Sequence, residues 1–373
     1  MNSIPLEEFI ALRRLLNSKQ IGIVTLKMML DVYSSGVKII DTTSKEIAAN
    51  VKLTESAYKG LSEGMKCSDF DADYKKDYEF IASFGGWIAS YGSDSYPPQL
   101  MNIYDSPILI YGIGDLLEQD KKSLGIVGTR TPSPYGTKTA SDIAKEIVEE
   151  GFTVVSGLAR GIDTTSHKSA LSAGGRTIAV LGSGFRHIYP PENKKLAKEI
   201  IASGAVITEY SPDTKPDAIN FPARNRIISG FSLGTLVVEA AEKGGALHTA
   251  AFAIDQGKAV FAIPGNINSN KSGGTNRLIQ RGEAKLVIDA NDILEEFNIK
   301  PLNADSKPKS EPILEELSMF EEKLYSSIEF QPLHIDEIAS LTGLNVSECL
   351  INLLQLEFKG LIRQLPGKNF VRT

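Results

Sequence analysis

Between Ser123 and Asp289 the chain passes through seven short, almost uninterrupted apolar stretches, and no other feature constrains its fold as strongly. They read SLGIVGT (123–129), FTVVSG (152–157), RTIAVLGSG (176–184), AVITEY (205–210), LGTLVVEAA (233–241), KAVFAIPG (258–265) and KLVID (285–289). A strand with one wet face alternates apolar and polar residues, whereas continuous apolar runs mark strands covered on both faces, as in a parallel sheet. Amphipathic helical patterns lie between them, such as TKTASDIAKEIVEEG, which puts Ile143, Ile147 and Val148 on one face. Repeated strand–helix units predict an α/β fold with an extended Rossmann-like, doubly wound and mostly parallel sheet.

The flanks differ. Residues 1–80 read as a helical domain of short helices, and 81–297 as the Rossmann domain, with Pro97, Pro98 and Pro107 marking turns between its first short strands. Residues 298–312, NIKPLNADSKPKSEP, have no apolar period and read as a linker. In 313–373, three helical patterns are followed by the hairpin IRQLPGKNFVR, a winged-helix arrangement. No apolar run approaches the ~20 residues that span a bilayer. The start of the chain carries Glu7 and Glu8 where a targeting segment carries lysines. Cys67 and Cys349 lie too far apart in sequence to suggest a disulfide framework or a metal site, so a cytoplasmic protein without metal is expected. The net charge of −6 hides an asymmetry: residues 121–297 hold 21 Lys and Arg against 18 Asp and Glu. An anionic ligand is therefore expected on the middle segment.

In an open parallel sheet the ligand sits beyond the carboxyl ends of the strands, where helix N-termini present free N–H groups. The loops predicted there are rich in glycine and small hydroxyls: GTRTPSPYG (128–136), SGLARGID (156–163), GSGFRHIYPPE (182–192), NFPARN (220–225), EKGGALHT (242–249) and SGGTNRL (272–278). Glycine lets a backbone approach a phosphate and a hydroxyl adds a donor. The first loop, GIVGTRTP, is not G-x-G-x-x-G, no acid closes the next strand, and no G-x-x-x-x-G-K-[ST] occurs, so no nucleotide cofactor is expected. Arg130 can fork onto a phosphate or pair with a surface acid. Arg224, Asn225 and Arg226 open a helix, where each arginine either meets a phosphate or forms an internal ion pair. Phe221 either stacks a base or plugs a core. Asp163 and His167, four apart, are either an acid/base pair or a cap beside a satisfied histidine. No G-x-S-x-G elbow accompanies them, and His187 and His248 fit no metal spacing.

Taken together, SYPPQL, DSPILIYG, VGTRTPSPYG, VVSGLARGIDTTSHKSAL, VLGSGFRHIYP, ITEY, NFPARNRIISG, VVEA, AIPG and GTNRLI, in that order, resemble the DNA-processing protein A family (DprA, also called Smf). The resemblance implies a sterile-alpha-motif-like N-domain, the Rossmann domain and a winged helix. It implies a protein that is not an enzyme: one that binds and protects single-stranded DNA without sequence preference in natural transformation, helps load the recombinase RecA, and works as a homodimer through the Rossmann domain, with residues 233–265 as interface candidates. The implied DNA site uses Gly128, Thr129, Arg130, Gly157, Ser183, Gly184, Phe221, Arg224 and Asn225, and we add Arg226, Lys243, Thr275 and Asn276.

The chain departs from the family pattern in three places. After VVEA it has Gly244, Gly245 and Ala246 in place of a serine–glycine–serine turn, so only backbone N–H groups or Lys243 could meet a phosphate there. SKQIGIVTL lacks a glycine-rich hairpin for duplex backbone. The expected recognition helix, VSECLINLLQLEFKG, carries Glu348 and Glu357 with one lysine, which favours partner or dimer packing over groove reading. Two other functions compete with this one. Hydrolysis of nucleotide monophosphates at the N-glycosidic bond needs a P-G-G-x-G-T-x-x-E loop, of which SLGTLVVE matches only Gly234, Thr235 and Glu239. A nucleotide-sensing regulator with the winged helix as output is disfavoured by that helix's acids.

Overall fold

The computed structural model describes residues 2–18, 20–65, 68–300, 317–328 and 332–372. Cys67 and residues 301–312 of the expected linker lie outside these. The chain divides into two compact units, Met1–Thr131 with Ala140–Ile293, and Pro132–Thr139 with Leu294–Thr373.

All seven apolar runs form strands in the first unit: β3 (Ser123–Val127), β4 (Thr153–Ser156), β5 (Thr177–Val180), β6 (Ala205–Thr208), β7 (Gly234–Val237), β8 (Ala259–Ala262) and β9 (Lys285–Leu286). Two earlier strands, β1 (Trp87–Ser90) and β2 (Leu109–Gly114), complete a nine-stranded sheet in the order β1-β2-β6-β5-β4-β3-β7-β8-β9. From β6 to β9 every pairing is parallel, while β2 pairs antiparallel with both β1 and β6. β3 to β7 are buried at nearly every residue, which is why they show no alternation. Each run is longer than its strand because its last residues turn into the loops of the carboxyl edge.

Among the described residues, six helices, from Leu6–Leu16 to Asp71–Ser83, precede β1. Their core is continuous with one face of the sheet: Phe9, Leu12 and Ile81 belong to the same buried cluster as Ile88, Tyr111 and Val206. Arg13 donates to Asp77 (3.2 Å) and to the Tyr111 hydroxyl (2.9 Å), so one guanidinium joins two helices to β2. Burial opposes its charge, but Tyr111 and Asp77 outweigh that and raise its pKa.

In the second unit, helices Met319–Ser327, Ile335–Thr342 and Val346–Phe358 pack around Leu324, Ile338, Leu353 and Phe370. The strands β10 (Leu333–His334), β11 (Ile362–Leu365) and β12 (Asn369–Arg372) form a small sheet ordered β10-β12-β11, completing the winged helix. Reciprocal capping boxes, Ser318 with Glu321 and Asn345 with Glu348, set two of the helix starts. Glu348 is thus engaged at its own helix end, and that helix exposes Ile351, Leu354 and Phe358 rather than cations. Among the described residues no helix is long and apolar enough to cross a membrane.

Candidate nucleic-acid interface

From β3 the parallel sheet grows through β4, β5 and β6 on one side and through β7, β8 and β9 on the other. The chain therefore reverses its winding between β3 and β7, and such a switch opens a crevice beyond the carboxyl ends. A pocket of 780 Å³ lies there, lined by Gly128, Thr129 and Arg130 after β3, Ala240 and Ala241 after β7, and parts of three helices. Those helices, Ile162–Ser172, Asn220–Phe231 and Ala246–Asp255, have no side-chain N-cap. Backbone carbonyls take several of their first N–H groups, Ile162 donating to Thr129 O, Thr164 to Ala159 O and Asn220 to Asp217 O, so what the three ends offer an anion is the positive end of each helix dipole.

The first loop is strapped on both sides. Thr129 N–H donates to Glu239 O (2.8 Å), and Thr129 O accepts from Ile162 N–H (3.2 Å). Next to it Arg130 is exposed and, among the described residues, forms no ion pair; it stands against the Phe221 ring, whose centroid lies 5.8 Å from the guanidinium carbon. Asn225 accepts from Arg224 Nε through Oδ1 (3.3 Å), which leaves its amide NH2 without a partner among the described residues. Gly128, Thr129, Arg130, Phe221 and Asn225 are thus brought together on the pocket wall.

Arg224 is held inside the fold. It borders the pocket but is only 4% exposed, with Nη1 donating to Gly157 O (2.8 Å) and to Val180 O. It is an anchor joining the carboxyl ends of β4 and β5. Burial pushes its pKa down to about 10, against the attraction of Asp163. Gly157 is glycine because this anchor presses on it: a Cβ would stand 2.7 Å from Arg224 Cζ and 2.8 Å from Asp163 Oδ2. Its own N–H donates to Asp163 (3.0 Å), so Gly157 has neither polar group free for a ligand.

Five further candidates are engaged internally. Arg226 forms a bidentate pair with Glu209 (2.6 and 2.7 Å) and meets Asp105 (2.8 Å). Buried Ser183 donates its hydroxyl to His187 O (2.8 Å), and Gly184 N–H donates to Thr214 O (2.9 Å). The Thr275 hydroxyl, fully buried, donates to Ser272 O (3.1 Å), and the Asn276 amide closes on Gly265 N–H and O (3.1 and 2.9 Å). None of the five lines the pocket. Lys243 is exposed, next in the chain to pocket-lining Gly244.

Asp163 and His167 do not form an acid/base pair. Asp163 accepts from Gly157 and Ala159 N–H, bracing the loop before its helix; burial raises its pKa while Arg224 opposes that. His167 is fully buried and its Nδ1 meets the Thr177 hydroxyl at 2.6 Å. Because that hydroxyl donates to Val154 O (2.8 Å), Nδ1 carries the proton and Nε2 is left without a partner. Burial, with Arg224 adding to it, drives the imidazole pKa down to about 3, so the ring is neutral. Gly234 and Thr235, the nearest match to a hydrolase loop, lie inside β7 at its amino end, paired with Leu124 and Gly125. Among the described residues no cluster of three or more His, Cys, Asp or Glu could hold a metal.

Sequence reasoning did not single out Tyr189, which lines the pocket in tilted contact with Phe221 (centroids 5.6 Å apart). Its signal was present in the loop HIYPP, where an aromatic precedes two prolines.

The family model for DNA recombination-mediator protein A matches residues 87–298 and that for the DprA winged helix domain matches 308–368. The chain is a member of the DprA/Smf family. The DNA processing protein DprA of Bacillus subtilis is 46% identical over 206 residues, covering 55% of this chain and 69% of that one. Protein Smf of Synechocystis is 35% identical over 311 residues, covering 74% and 78%. The X-ray structure of DprA from Streptococcus pneumoniae superposes with a TM-score of 0.68 at 34% identity, over 79% of this chain and 98% of that one. A second DprA structure, from Helicobacter pylori and concerned with its single-stranded DNA binding mode, gives a TM-score of 0.51 at 29% identity, over 57% and 95%.

Proposed function

We propose that the pocket binds single-stranded DNA without sequence preference, and that the protein shields the strand and promotes its loading onto RecA during natural transformation. It does so as a cytoplasmic homodimer through the α/β unit, with no chemical step of its own. The observation that carries this reading is Arg130, free of ion pairs among the described residues and set over an aromatic ring, in a crevice lined by three helix N-termini that have no side-chain cap. Helix termini and a single guanidinium recognise phosphate and ignore base identity, and an aromatic ring stacks any base. The family name and the H. pylori relative point the same way. Asp163, which lines the pocket, accepts from Gly157 and Ala159 N–H and His167 is paired with Thr177, so these two do not serve as an acid/base pair there.

The test is titration with a labelled strand of ~60 nucleotides and its matched duplex across salt, because phosphate contacts make affinity fall with ionic strength. The strand should bind more tightly than the duplex, with a negative salt slope that Arg130→Ala makes shallower. Salt-independent binding, or binding indifferent to Arg130→Ala, would sink the reading. Release of free base from nucleoside monophosphates would favour the hydrolase instead.

A further inference from the structure

We infer that Tyr189 is the ring on which a base of the bound strand stacks, with Phe221 as the ring that backs it. This rests on the single-strand reading above and assigns a role that motif matching had left to Phe221.

The two rings differ in how much face they offer. Phe221 is half-buried. One side of its ring lies on the backbone of Gly182, where a Cβ would stand 2.8 Å from Cδ1, and Tyr189 and the Arg130 guanidinium take up other directions. Tyr189 is 36% exposed and borders both the main pocket and a small recess shared with Arg130, Gly157 and Arg160. A large aromatic with a third of its surface open, on the wall of an anion-binding crevice, is placed for a base.

The tyrosine is also held in place. On its amino side, Ser183 fixes the preceding turn through His187 O (2.8 Å). On its carboxyl side Asn193 N–H donates to Pro190 O (3.0 Å), and Asn193 Nδ2 donates to Leu158 O (2.8 Å), tying the segment to the loop after β4. Beside the ring, Arg160 pairs with Glu192. A ring ordered before the ligand arrives loses little conformational freedom on binding, so more of the stacking energy appears as affinity. Ser183, which offers no donor to the ligand, acquires a purpose here as a support of the loop that carries Tyr189.

The test uses the full chain with two ligands of equal length: a ~60-nucleotide strand and an abasic strand with the same sugar–phosphate backbone. Tyr189→Ala should weaken the base-bearing strand by roughly 5- to 150-fold, the range of a base–aromatic stack, and leave the abasic strand unchanged. Tyr189→Phe should bind both like the natural chain. Equal loss on both strands, or loss on neither, would overturn the inference. A second variant guards against misfolding of the first. Tyr189→Trp places an indole at the site while the natural Trp87 is only 1% exposed, so its emission should be quenched by the base-bearing strand and not by the abasic one. Absence of that quench also overturns the assignment. If the natural chain bound neither strand, the single-strand reading would fail and take the inference with it. If it bound both equally, only the inference would fall.

Discussion

Replacing Arg224 separates an anchor from a ligand contact. In Arg224→Ala, the carbonyls of Gly157 and Val180 lose their donor and Asp163 loses its neighbouring cation. Gly157 and Val180 are themselves buried, so their carbonyls depend on that donor. A stranded buried carbonyl costs about 1–3 kcal/mol, and two lose their donor here. The α/β unit should therefore lose about 2–6 kcal/mol of a typical ~5–15 kcal/mol. At about 2–4 °C per kcal/mol that lowers the melting midpoint by roughly 4–24 °C. The assay is thermal unfolding followed by circular dichroism at pH 7.5, with single-strand affinity measured well below the lower midpoint. Arg224→Lys should recover part of the loss, since an ammonium can still serve one carbonyl. A midpoint within about 2 °C of the natural chain combined with abolished DNA binding would refute the anchor assignment, because it would show that the guanidinium is worth little to the fold and much to the ligand.

Three other outcomes follow from named residues. His167 is neutral when folded and its pKa of about 3 lies below the unfolded value, so its contribution is intact above pH ~6.5 and is lost as pH falls toward 3, at about 1.4 kcal/mol per pH unit; urea unfolding of His167→Gln against the natural chain between pH 7 and 5 should show that slope flattened by this amount. Arg130→Ala should leave the melting midpoint unchanged and make the logarithmic salt slope shallower by about 0.7 for each phosphate that is no longer neutralised, read from fluorescence anisotropy. Gly157→Ala drives a Cβ into Arg224 and Asp163, which have nowhere to retreat, and should destabilise by about 1–3 kcal/mol in urea unfolding.

The sheet was legible because strands buried on both faces write themselves as apolar runs, and all seven runs became strands. Their carboxyl-edge loops were legible for the same reason: the switch-point rule places a ligand there whatever its identity. Side-chain direction was not legible. Arg224 and Arg226 sit two residues apart at the start of one helix and look alike in sequence, yet one turns under β4 and β5 and the other toward Glu209 and Asp105. Which acceptors wait on each side depends on strands brought together from far away in the chain. Tyr189 was missed for the converse reason, since its value lies in how it packs on Phe221, a residue 32 positions later.

On the single-strand reading proposed above, these placements also change how an acidic chain would hold a polyanion. Of the arginines in NFPARNR, neither projects into solvent as a surface cation, and Arg130 alone among the expected arginines is left unpaired at the pocket, among the described residues. Beside Arg130 and exposed Lys243, backbone adds favourable potential through three helix ends that have no capping side chain. That backbone potential adds nothing to the formal charge, which is why a net charge of −6 is no obstacle to such a site. On that reading it grips few phosphates, so binding along a strand rests more on the aromatic wall of Tyr189 and Phe221 than on a basic surface.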